Sequence, residues 1–370
     1  MIPYLDLSRD YLNYKKFIIK NMDKLYSEGR FIQGQEIKIL EKKLQDYLKV
    51  KYCLTLNSGT DALLCALYSL NFNPGDEIIT TPNTWYSTVT AIMHLRLVPK
   101  FVDVTMDQNM NVDLIEKNIS NKTKAILAVH LNGKMLDVIK IKKICDKYNI
   151  KFIEDSAQCF GGSYGDIQPG QLSDAACFST HPTKTFFSFR DGGFLATNNK
   201  NIYEKIKKFR NHGISEKERN VCDDWGVNSR IDNLQAIILT KKLKDISKLI
   251  KQRQKVANFY LNNLDPKLYR LPSNNVAIKH TFQFFVLHSS KPQKIIKYML
   301  NKKIELRRYF HIPMYKQNFF KKHYGKHKLL INSEAFQETS LNLPIHHNLS
   351  RKNLNQICNY LNGIKRKKLS

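Results

Sequence analysis

Short β-rich runs of hydrophobic residues alternate with amphipathic stretches of helical period from about residue 50 to about residue 210. This alternation is typical of a mostly parallel sheet that helices cover on both faces. After about residue 235 the pattern changes to one long helical stretch and then to a less regular segment. We therefore predict an α/β fold, with a large domain over residues 1–240 that includes an N-terminal arm, and a smaller α+β domain over residues 241–370.

The same periodicity predicts the individual elements. Since ligands bind at the carboxyl ends of parallel strands, polar motifs that directly follow a predicted strand are the candidates for a functional site. The predicted strands are 51–56, 77–81, 100–104, 125–131, 151–154, 175–180, 193–197 and 280–286, and the predicted helices are 61–70, 87–95, 138–148, 234–264 and 351–362.

The chain is strongly basic, with 60 Lys and Arg residues against 32 Asp and Glu residues and a formal net charge of +28. Such a charge is compatible with nucleic-acid binding. The lysines are nevertheless spread along the whole chain and form no RNP, zinc-finger or basic-region motif. We interpret the charge as general lysine usage and predict no nucleic-acid partner. The charge would also suit an anionic substrate such as a phosphate or a nucleotide sugar.

The cysteines and the hydropathy indicate the compartment. Seven cysteines are scattered without a CxxC pair, so we predict neither a disulfide framework nor a metal site. No apolar run reaches the roughly 18 residues that a membrane span needs. The first residues lack the basic and apolar regions of a signal peptide. We expect a cytoplasmic protein with reduced thiols and no membrane partner.

Three polar motifs follow predicted strands. Ser58-Gly59-Thr60 precedes a helix, where small residues and free N–H groups suit a phosphate, although an ordinary helix cap is the alternative. Asp155 ends a strand, where a carboxylate could keep a pyridinium nitrogen protonated, and a turn cap is the alternative. Lys184 follows the next strand, in the order expected of a lysine that forms a Schiff base, and a surface lysine is the alternative.

In combination, these motifs resemble the DegT/DnrJ/EryC1/StrS family of pyridoxal 5′-phosphate (PLP)-dependent sugar aminotransferases, which have the aspartate-aminotransferase fold (fold type I). The resemblance covers nearly the whole chain. Its motifs are Ser58-Gly59-Thr60, Pro82-Asn83-Thr84-Trp85, Glu154-Asp155 with Gln158, the segment from Phe178 to Lys184, the segment from Gly226 to Arg230, and Leu343-Pro344 with His346.

The resemblance implies PLP as the cofactor and assigns a role to each matching residue. Lys184 would bind PLP as a Schiff base and then act as general acid and base. Asp155 would stabilise the protonated pyridine nitrogen, and Trp85 would lie against the ring. The other cofactor-binding residues that the resemblance implies are Ser58, Gly59, Thr60, Gln158, Ser179 and, reaching the site of the neighbouring subunit, Asn228.

The resemblance also implies substrates and an assembly. L-Glutamate would be the amino donor, and a keto group of a nucleotide-linked deoxysugar would be the acceptor, in the synthesis of sugars for surface polysaccharides or glycoconjugates. Asp191-Gly192-Gly193 looks like the members that act at C3, which we favour slightly over C4. Arg308 and Tyr315 are the candidate substrate-binding residues, and Asn228 implies a homodimer with shared active sites.

Rival interpretations come from different classes of protein. The acceptor could be a small phosphorylated ketone, or the chain could be a PLP-fold binding protein that has lost turnover. Relatives that eliminate water or reduce a deoxysugar replace the lysine with histidine, and Lys184 argues against that chemistry. A nucleic-acid binder is the remaining class.

Overall fold

The computed structural model describes residues 1–215, 217–218, 220–273 and 276–364. The helices in these ranges are α1 Leu7–Ser27, α2 Gln35–Leu48, α3 Gly59–Ser69, α4 Tyr86–His94, α5 Val138–Tyr148, α6 Lys200–Phe209, α7 Asn233–Asn263, α8 Pro292–Asn301, α9 Asn318–Tyr324, α10 Ile331–Thr339 and α11 Arg351–Asn362. The strands are β1 Tyr52–Leu56, β2 Glu77–Thr80, β3 Val98–Phe101, β4 Thr123–Val129, β5 Lys151–Asp155, β6 Ser163–Tyr164, β7 Ala175–Ser179, β8 Gly193–Thr197, β9 Ile278–Lys279, β10 Phe285–His288 and β11 Ser340–Leu343. None of these helices is long and apolar enough to cross a membrane.

A seven-stranded sheet, in the order β1-β8-β7-β5-β4-β2-β3, forms the centre of the fold. Only β8 runs against its neighbours β1 and β7, and the other pairs are parallel. Successive side chains of a strand point to opposite faces, so alternate residues of β7 join different apolar clusters. Ala175 and Cys177 pack with α3 and α6, whereas Ala176 and Phe178 pack with α2 and α7. Helices therefore cover both faces, as the sequence predicts.

The antiparallel strand β8 brings the ends of β1 and β7 together. Gly193, its first residue, is the register partner of Leu56 on one side and of Ser179 on the other. A Cβ atom on Gly193 would lie 2.4 Å from the carbonyl atoms of Ser58, so only glycine permits this approach. The carboxyl ends of β1, β5 and β7 therefore meet at one edge, where Ser58, Asp155 and Ser179 follow or end these strands.

The C-terminal part has its own apolar core. The later residues of α7 pack with β10, β11, α8 and α11, and Ile2 of the N-terminal arm joins the same cluster. The predicted boundary at residue 240 falls inside α7, because this helix runs without interruption from the central sheet to the C-terminal core. The division into domains of residues 1–240 and 241–370 stays a prediction.

The strand predicted over residues 280–286 is wrong for most of its length. In the structure β10 begins at Phe285, and Phe282 has a left-handed backbone with φ of 51°. The buried guanidinium of Arg253 donates to the carbonyl oxygens of Phe282 and Gln283 at 2.8 Å, so this segment is held by a side chain instead of a neighbouring strand. The strand predicted over 100–104 lies earlier, at Val98–Phe101.

Candidate active site

A cavity of about 360 Å³ lies at the carboxyl ends of β1, β5 and β7. This is the edge at which ligands bind in open α/β sheets. The predicted residues that line it are Ser58, Gly59, Thr60, Trp85, Asp155, Gln158, Ser179 and Lys184. The fold thus brings together residues from four separate motifs of the sequence.

Lys184 lies in a tight turn after β7. Its backbone N–H donates to the carbonyl oxygen of His181 at 2.9 Å, and Ser188 N–H closes the loop by donating to Thr180 at 2.8 Å. The side chain is half-buried at the cavity, and Nζ has no hydrogen bond among the described residues. Burial lowers the pKa of Lys184 from 10.5 to about 8, although the nearby Asp155 carboxylate opposes the shift. Much more of this amine is therefore neutral at physiological pH than of an ordinary lysine.

The lowered pKa predicts how the capture of PLP by the apo-protein depends on pH. Only the neutral amine attacks an aldehyde, so the rate should rise with pH and level off above a midpoint near 8. Stopped-flow absorbance after mixing apo-protein with PLP, from about pH 6 to about pH 10, measures this midpoint. A rate that still rises tenfold per pH unit above about pH 9 would contradict the environment described for Lys184.

Asp155 is buried at the end of β5, and hydroxyl and amide groups orient it. Its Oδ2 accepts a hydrogen bond from Thr88 Oγ1 at 2.7 Å, and its Oδ1 accepts one from Ala157 N–H at 3.2 Å. Thr88 in turn contacts Thr84 through their hydroxyl groups at 2.8 Å. Burial raises the pKa of Asp155, while the bond from Thr88 and the charge of Lys184 oppose the rise. Among the described residues no cation lies within ion-pair distance of the Asp155 carboxylate, so this carboxylate favours a cationic group on a ligand.

The start of α3 forms a cradle for an anion. Ser58 Oγ caps the helix by accepting a hydrogen bond from Asp61 N–H at 3.0 Å. The N–H groups of Gly59 and Thr60 have no acceptor in the described part of the chain. A Cβ atom on Gly59 would lie 2.7 Å from Ser179 Cβ, so glycine is required for the two loops to meet. Free N–H groups and the helix dipole together favour a phosphate at this position.

Gln158 and Trp85 form further parts of the cavity lining. Gln158 is buried, and its Oε1 accepts from Asn132 N–H at 2.8 Å. Trp85 precedes α4 and keeps 51% of its surface exposed. Its ring lies 6.5 Å from that of Phe310 in an edge-on arrangement.

Three predicted residues do not line this cavity. Asn228 is exposed, and its Oδ1 accepts from Arg230 Nε at 2.9 Å. Tyr315 is buried, and its hydroxyl donates to Glu334 at 2.6 Å, so it is not available to a ligand in the cavity. Arg308 lines a neighbouring pocket of about 100 Å³ that shares Trp85 and Phe310 with the main cavity. Its guanidinium donates to the carbonyl oxygens of Ser340 and Gln337.

Two further residues were not predicted from the sequence. Thr88 has a recognisable signal, because it is a polar residue in the first turn of α4, the helix that follows the Pro82-Asn83-Thr84-Trp85 motif. Phe310 had none, because its position in the cavity depends on a left-handed backbone with φ of 55°. Asn83 Nδ2 holds that backbone by donating to the Phe310 carbonyl at 2.9 Å. A strained conformation of this kind is typical of functional sites.

These residues fit PLP. The amine of Lys184 has no hydrogen bond within the described ranges and suits an aldehyde. The buried carboxylate of Asp155 suits a protonated ring nitrogen. The N–H groups of Gly59 and Thr60 suit the phosphate. The three groups line one cavity, which is the arrangement that a single PLP molecule needs.

Known proteins are similar to this chain in both fold and sequence. The model of the DegT/DnrJ/EryC1/StrS aminotransferase family matches residues 13–362. The chain is 32% identical over 364 residues to the dTDP-3-amino-3,6-dideoxy-alpha-D-galactopyranose transaminase of Aneurinibacillus thermoaerophilus, covering 98% of this chain and 99% of the relative. It is 37% identical over 261 residues to the UDP-2-acetamido-2-deoxy-3-oxo-D-glucuronate aminotransferase of Pseudomonas aeruginosa, covering 70% and 72% of the two chains.

A solved structure agrees with the cofactor assignment. NtdA from Bacillus subtilis with the bound cofactor PMP superposes with a TM-score of 0.89 at 27% identity, covering 97% of this chain and 84% of that one. The predicted fold type I architecture and the predicted PLP cofactor are thereby confirmed. The chain belongs to the DegT/DnrJ/EryC1/StrS aminotransferase family and is a PLP-dependent transaminase.

Proposed function

We propose that this transaminase moves the amino group of L-glutamate to the C3 keto group of a nucleotide-linked deoxysugar, for a surface polysaccharide or a glycoconjugate. The observation that carries the proposal is the single cavity in which Lys184, Asp155 and the α3 cradle converge. The relatives at 32% and 37% identity are named for a 3-amino and a 3-oxo sugar nucleotide, which supports C3 over C4.

Each side chain would perform one part of the reaction. PLP, when bound, accepts the amino group and withdraws electrons from the carbon that carries it. The Nζ atom of Lys184 would move the proton at that carbon, because its lowered pKa suits both release and uptake near neutral pH. Asp155 would stabilise positive charge at the ring nitrogen, and the N–H groups of Gly59 and Thr60 would hold the phosphate.

The neighbouring pocket suggests where the anionic part of the acceptor binds. Arg308 lies at this pocket, which joins the main cavity at Trp85 and Phe310. Its Nε and Nη2 atoms donate to backbone carbonyls, and Nη1 has no acceptor within the described ranges. We propose that Nη1 contacts a phosphate of the nucleotide sugar.

A homodimer would explain the exposed position of Asn228. Leu12, Ile19 and Met22 of α1 also expose apolar surface, which is typical of a protein interface. We propose that Asn228 reaches the phosphate cradle of the partner subunit across such an interface. Sedimentation velocity of the PLP-loaded protein tests this assembly, and a monomer at the concentration of the activity assay would contradict it.

The substrate assignment has a direct test. Holoenzyme would be incubated with L-glutamate and either a 3-keto or a 4-keto nucleotide deoxysugar, and the position of the new amine would be determined by NMR spectroscopy. A 3-amino product made at least about tenfold faster than the 4-amino product supports the proposal. Faster turnover of the 4-keto sugar, or of a small phosphorylated ketone, would replace it. L-Glutamine and L-alanine serve as competing donors.

Removing the hydroxyl group of Thr88 should weaken catalysis through Asp155. A Thr88→Val change leaves Asp155 Oδ2 without its donor, and an unpaired buried acceptor costs about 1–3 kcal/mol. We expect kcat/KM to fall about tenfold. The hydrogen bond from Thr88 lowers the pKa of Asp155, so its loss should raise that pKa. The acid limb of the pH–rate profile should therefore move to higher pH. Thr88→Ser retains the hydroxyl and should keep the wild-type profile, whereas equal losses in both variants would indicate a packing role alone.

A further inference from the structure

A second cavity of about 380 Å³ lies next to the active-site cavity and shares Phe284 with it as a wall. The loops after β3 and β4 line one side, through residues 105–109 and 132–134. The segments at 270–273 and 280–288 line the other side. The transamination proposed above uses none of the polar side chains in this cavity.

The second cavity contains one cationic side chain, Arg270, that has no acidic partner among the described residues. Lys134 Nζ pairs with Asp107 at 2.5 Å and also donates to Ser273 Oγ at 3.1 Å, so these two charges offset each other. Arg270 has no carboxylate within ion-pair distance among the described residues. Its guanidinium lies 3.8 Å from the sulfur of Met106 and 5.9 Å from the ring centre of Phe336. The cavity therefore presents an unpaired guanidinium group to any ligand that enters it.

His280 adds a neutral donor. Its Nδ1 accepts a hydrogen bond from Phe282 N–H at 2.9 Å, so the ring proton must be on Nε2. Burial, and then the charge of Lys134, lower the pKa of His280 to about 3, which keeps the ring neutral at pH 7. The Nε2–H group has no acceptor in the part of the chain that the structure describes. A bound acceptor atom would satisfy it.

Two other side chains provide acceptors. Burial, and then the charge of Arg270, lower the pKa of His288 to about 3, so its ring is neutral at pH 7. The Thr339 hydroxyl donates to the carbonyl of Ala335 at 2.8 Å, so it accepts from His288 Nδ1 at 3.0 Å. Nε2 of the neutral ring therefore keeps its lone pair. Asn132 Oδ1 is buried and has no hydrogen-bond partner among the residues that the structure describes. Its amide nitrogen donates to Gln108 Oε1 at 3.4 Å. Both atoms require a hydroxyl or N–H group on a ligand.

We propose that this second cavity binds a sugar phosphate. Arg270 and His280 Nε2–H would donate to the phosphate oxygens, and Asn132 Oδ1 and His288 Nε2 would accept from sugar hydroxyls. The apolar wall formed by Phe284 would cover the C–H face of the sugar. The ligand could be a free sugar phosphate or the sugar phosphate part of a nucleotide sugar. The proposal does not depend on the reaction assigned to the active site.

A ligand bound in the second cavity would affect the active site through Phe284, which lines both cavities. Its ring lies 5.0 Å from that of Tyr309 and 5.7 Å from that of Phe310, and both of these residues line the active-site cavity. A ligand in the second cavity would therefore contact the rear of the wall against which the acceptor is expected to bind. The two sites would be adjacent but chemically distinct.

Calorimetric titration of the PLP-loaded protein tests the proposal, with glucose 1-phosphate, UDP-glucose and orthophosphate as probes. The phosphate of PLP would occupy the α3 cradle, so we expect no competition from that cradle. We expect saturable binding of at least one of the two sugar probes, tighter than orthophosphate, and an Arg270→Gln change should weaken it at least about tenfold. Tighter binding of glucose 1-phosphate identifies a free sugar phosphate, and tighter binding of UDP-glucose identifies a nucleotide sugar.

Arg351→Gln is the matched control. This arginine also lies over an aromatic ring, at 4.1 Å from the centre of Phe259, and has no ion pair among the described residues, but it lies on α11 away from the cavity. Its replacement should leave the affinity unchanged. His280→Asn is a second test, because Asn Oδ1 can still accept from Phe282 N–H while the Nε2–H donor is lost, and it should also weaken binding.

Two results would overturn the proposal. The first is the absence of saturable binding by either sugar probe. The second is binding whose affinity stays the same in both Arg270→Gln and His280→Asn. That result would place the ligand in the active-site cavity. The visible absorbance band of bound PLP is recorded for every variant. Absence of that band from the wild-type protein would contradict the transaminase assignment. The α3 cradle would then be free to bind a phosphate, and only the loss of binding in Arg270→Gln and His280→Asn would assign the ligand to the second cavity.

Discussion

Replacing Lys184 with alanine is expected to lower kcat/KM for amino transfer by at least about 10³-fold. The change would remove the amine that we propose attaches the cofactor and moves the proton. No other lysine lines the cavity among the described residues. Steady-state assays with L-glutamate and the preferred keto sugar measure the effect. The visible band of PLP on lysine should also disappear.

A second substitution separates charge from proton transfer. Lys184→Arg keeps a positive charge near Asp155, but arginine is not deprotonated at physiological pH, so it can neither attach the cofactor nor accept a proton. This variant should be as inactive as the alanine variant. Lys200→Ala, on the exposed start of α6, is the matched control and should retain wild-type activity. Wild-type turnover by either Lys184 variant would exclude the proposed role of this residue.

The second large effect is expected for Asp155→Asn, which should lower kcat/KM by at least about 10²-fold. Asparagine has nearly the same shape and can still accept from Thr88 at the position now bonded at 2.7 Å. It carries no negative charge, so the ring nitrogen would lose the partner that keeps it protonated. The assay is the same, and PLP should still attach to Lys184, which distinguishes this variant from Lys184→Ala.

Asp174→Asn provides the control for Asp155→Asn. Asp174 precedes β7 and accepts from Phe152 N–H at 2.9 Å, so it supports the sheet at the edge opposite the cavity. Its replacement should affect thermal stability more than turnover. If the two asparagine variants had equal activity, the charge of Asp155 would have no specific role in catalysis.

Much of the fold was predictable because its periods are clear. The helix predicted over 138–148 has the bounds of α5, and the strand predicted over 193–197 has those of β8. In α5 the buried residues recur at helical spacing, whereas β8 is a short continuous run without charged residues, as a strand buried on both faces requires. The strand predicted over 280–286 failed because Arg253, distant in sequence, binds its carbonyl groups. No local pattern contains that information.

The candidate site shows the same division. The positions of Lys184 and Asp155 were predictable, because Asp155 ends β5 and Lys184 lies in the turn after β7. The parallel sheet then places both at one edge. Tyr315 did not reach the cavity, because its hydroxyl donates to Glu334 and its ring packs near Phe101. Motif position alone could not reveal that contact. The role of Thr88 also depends on a hydrogen bond across 67 residues of sequence.

The most direct test of the central claim is a half-reaction. PLP-loaded protein would be mixed with L-glutamate in the absence of any acceptor, and the visible band and the 2-oxoglutarate formed would be measured together. If the protein is the transaminase proposed here, the band should disappear while 2-oxoglutarate forms in an amount equal to the bound PLP, and a keto sugar should then restore the band. A band that L-glutamate and other amino donors all leave unchanged, with no keto acid formed, would contradict amino transfer by this protein.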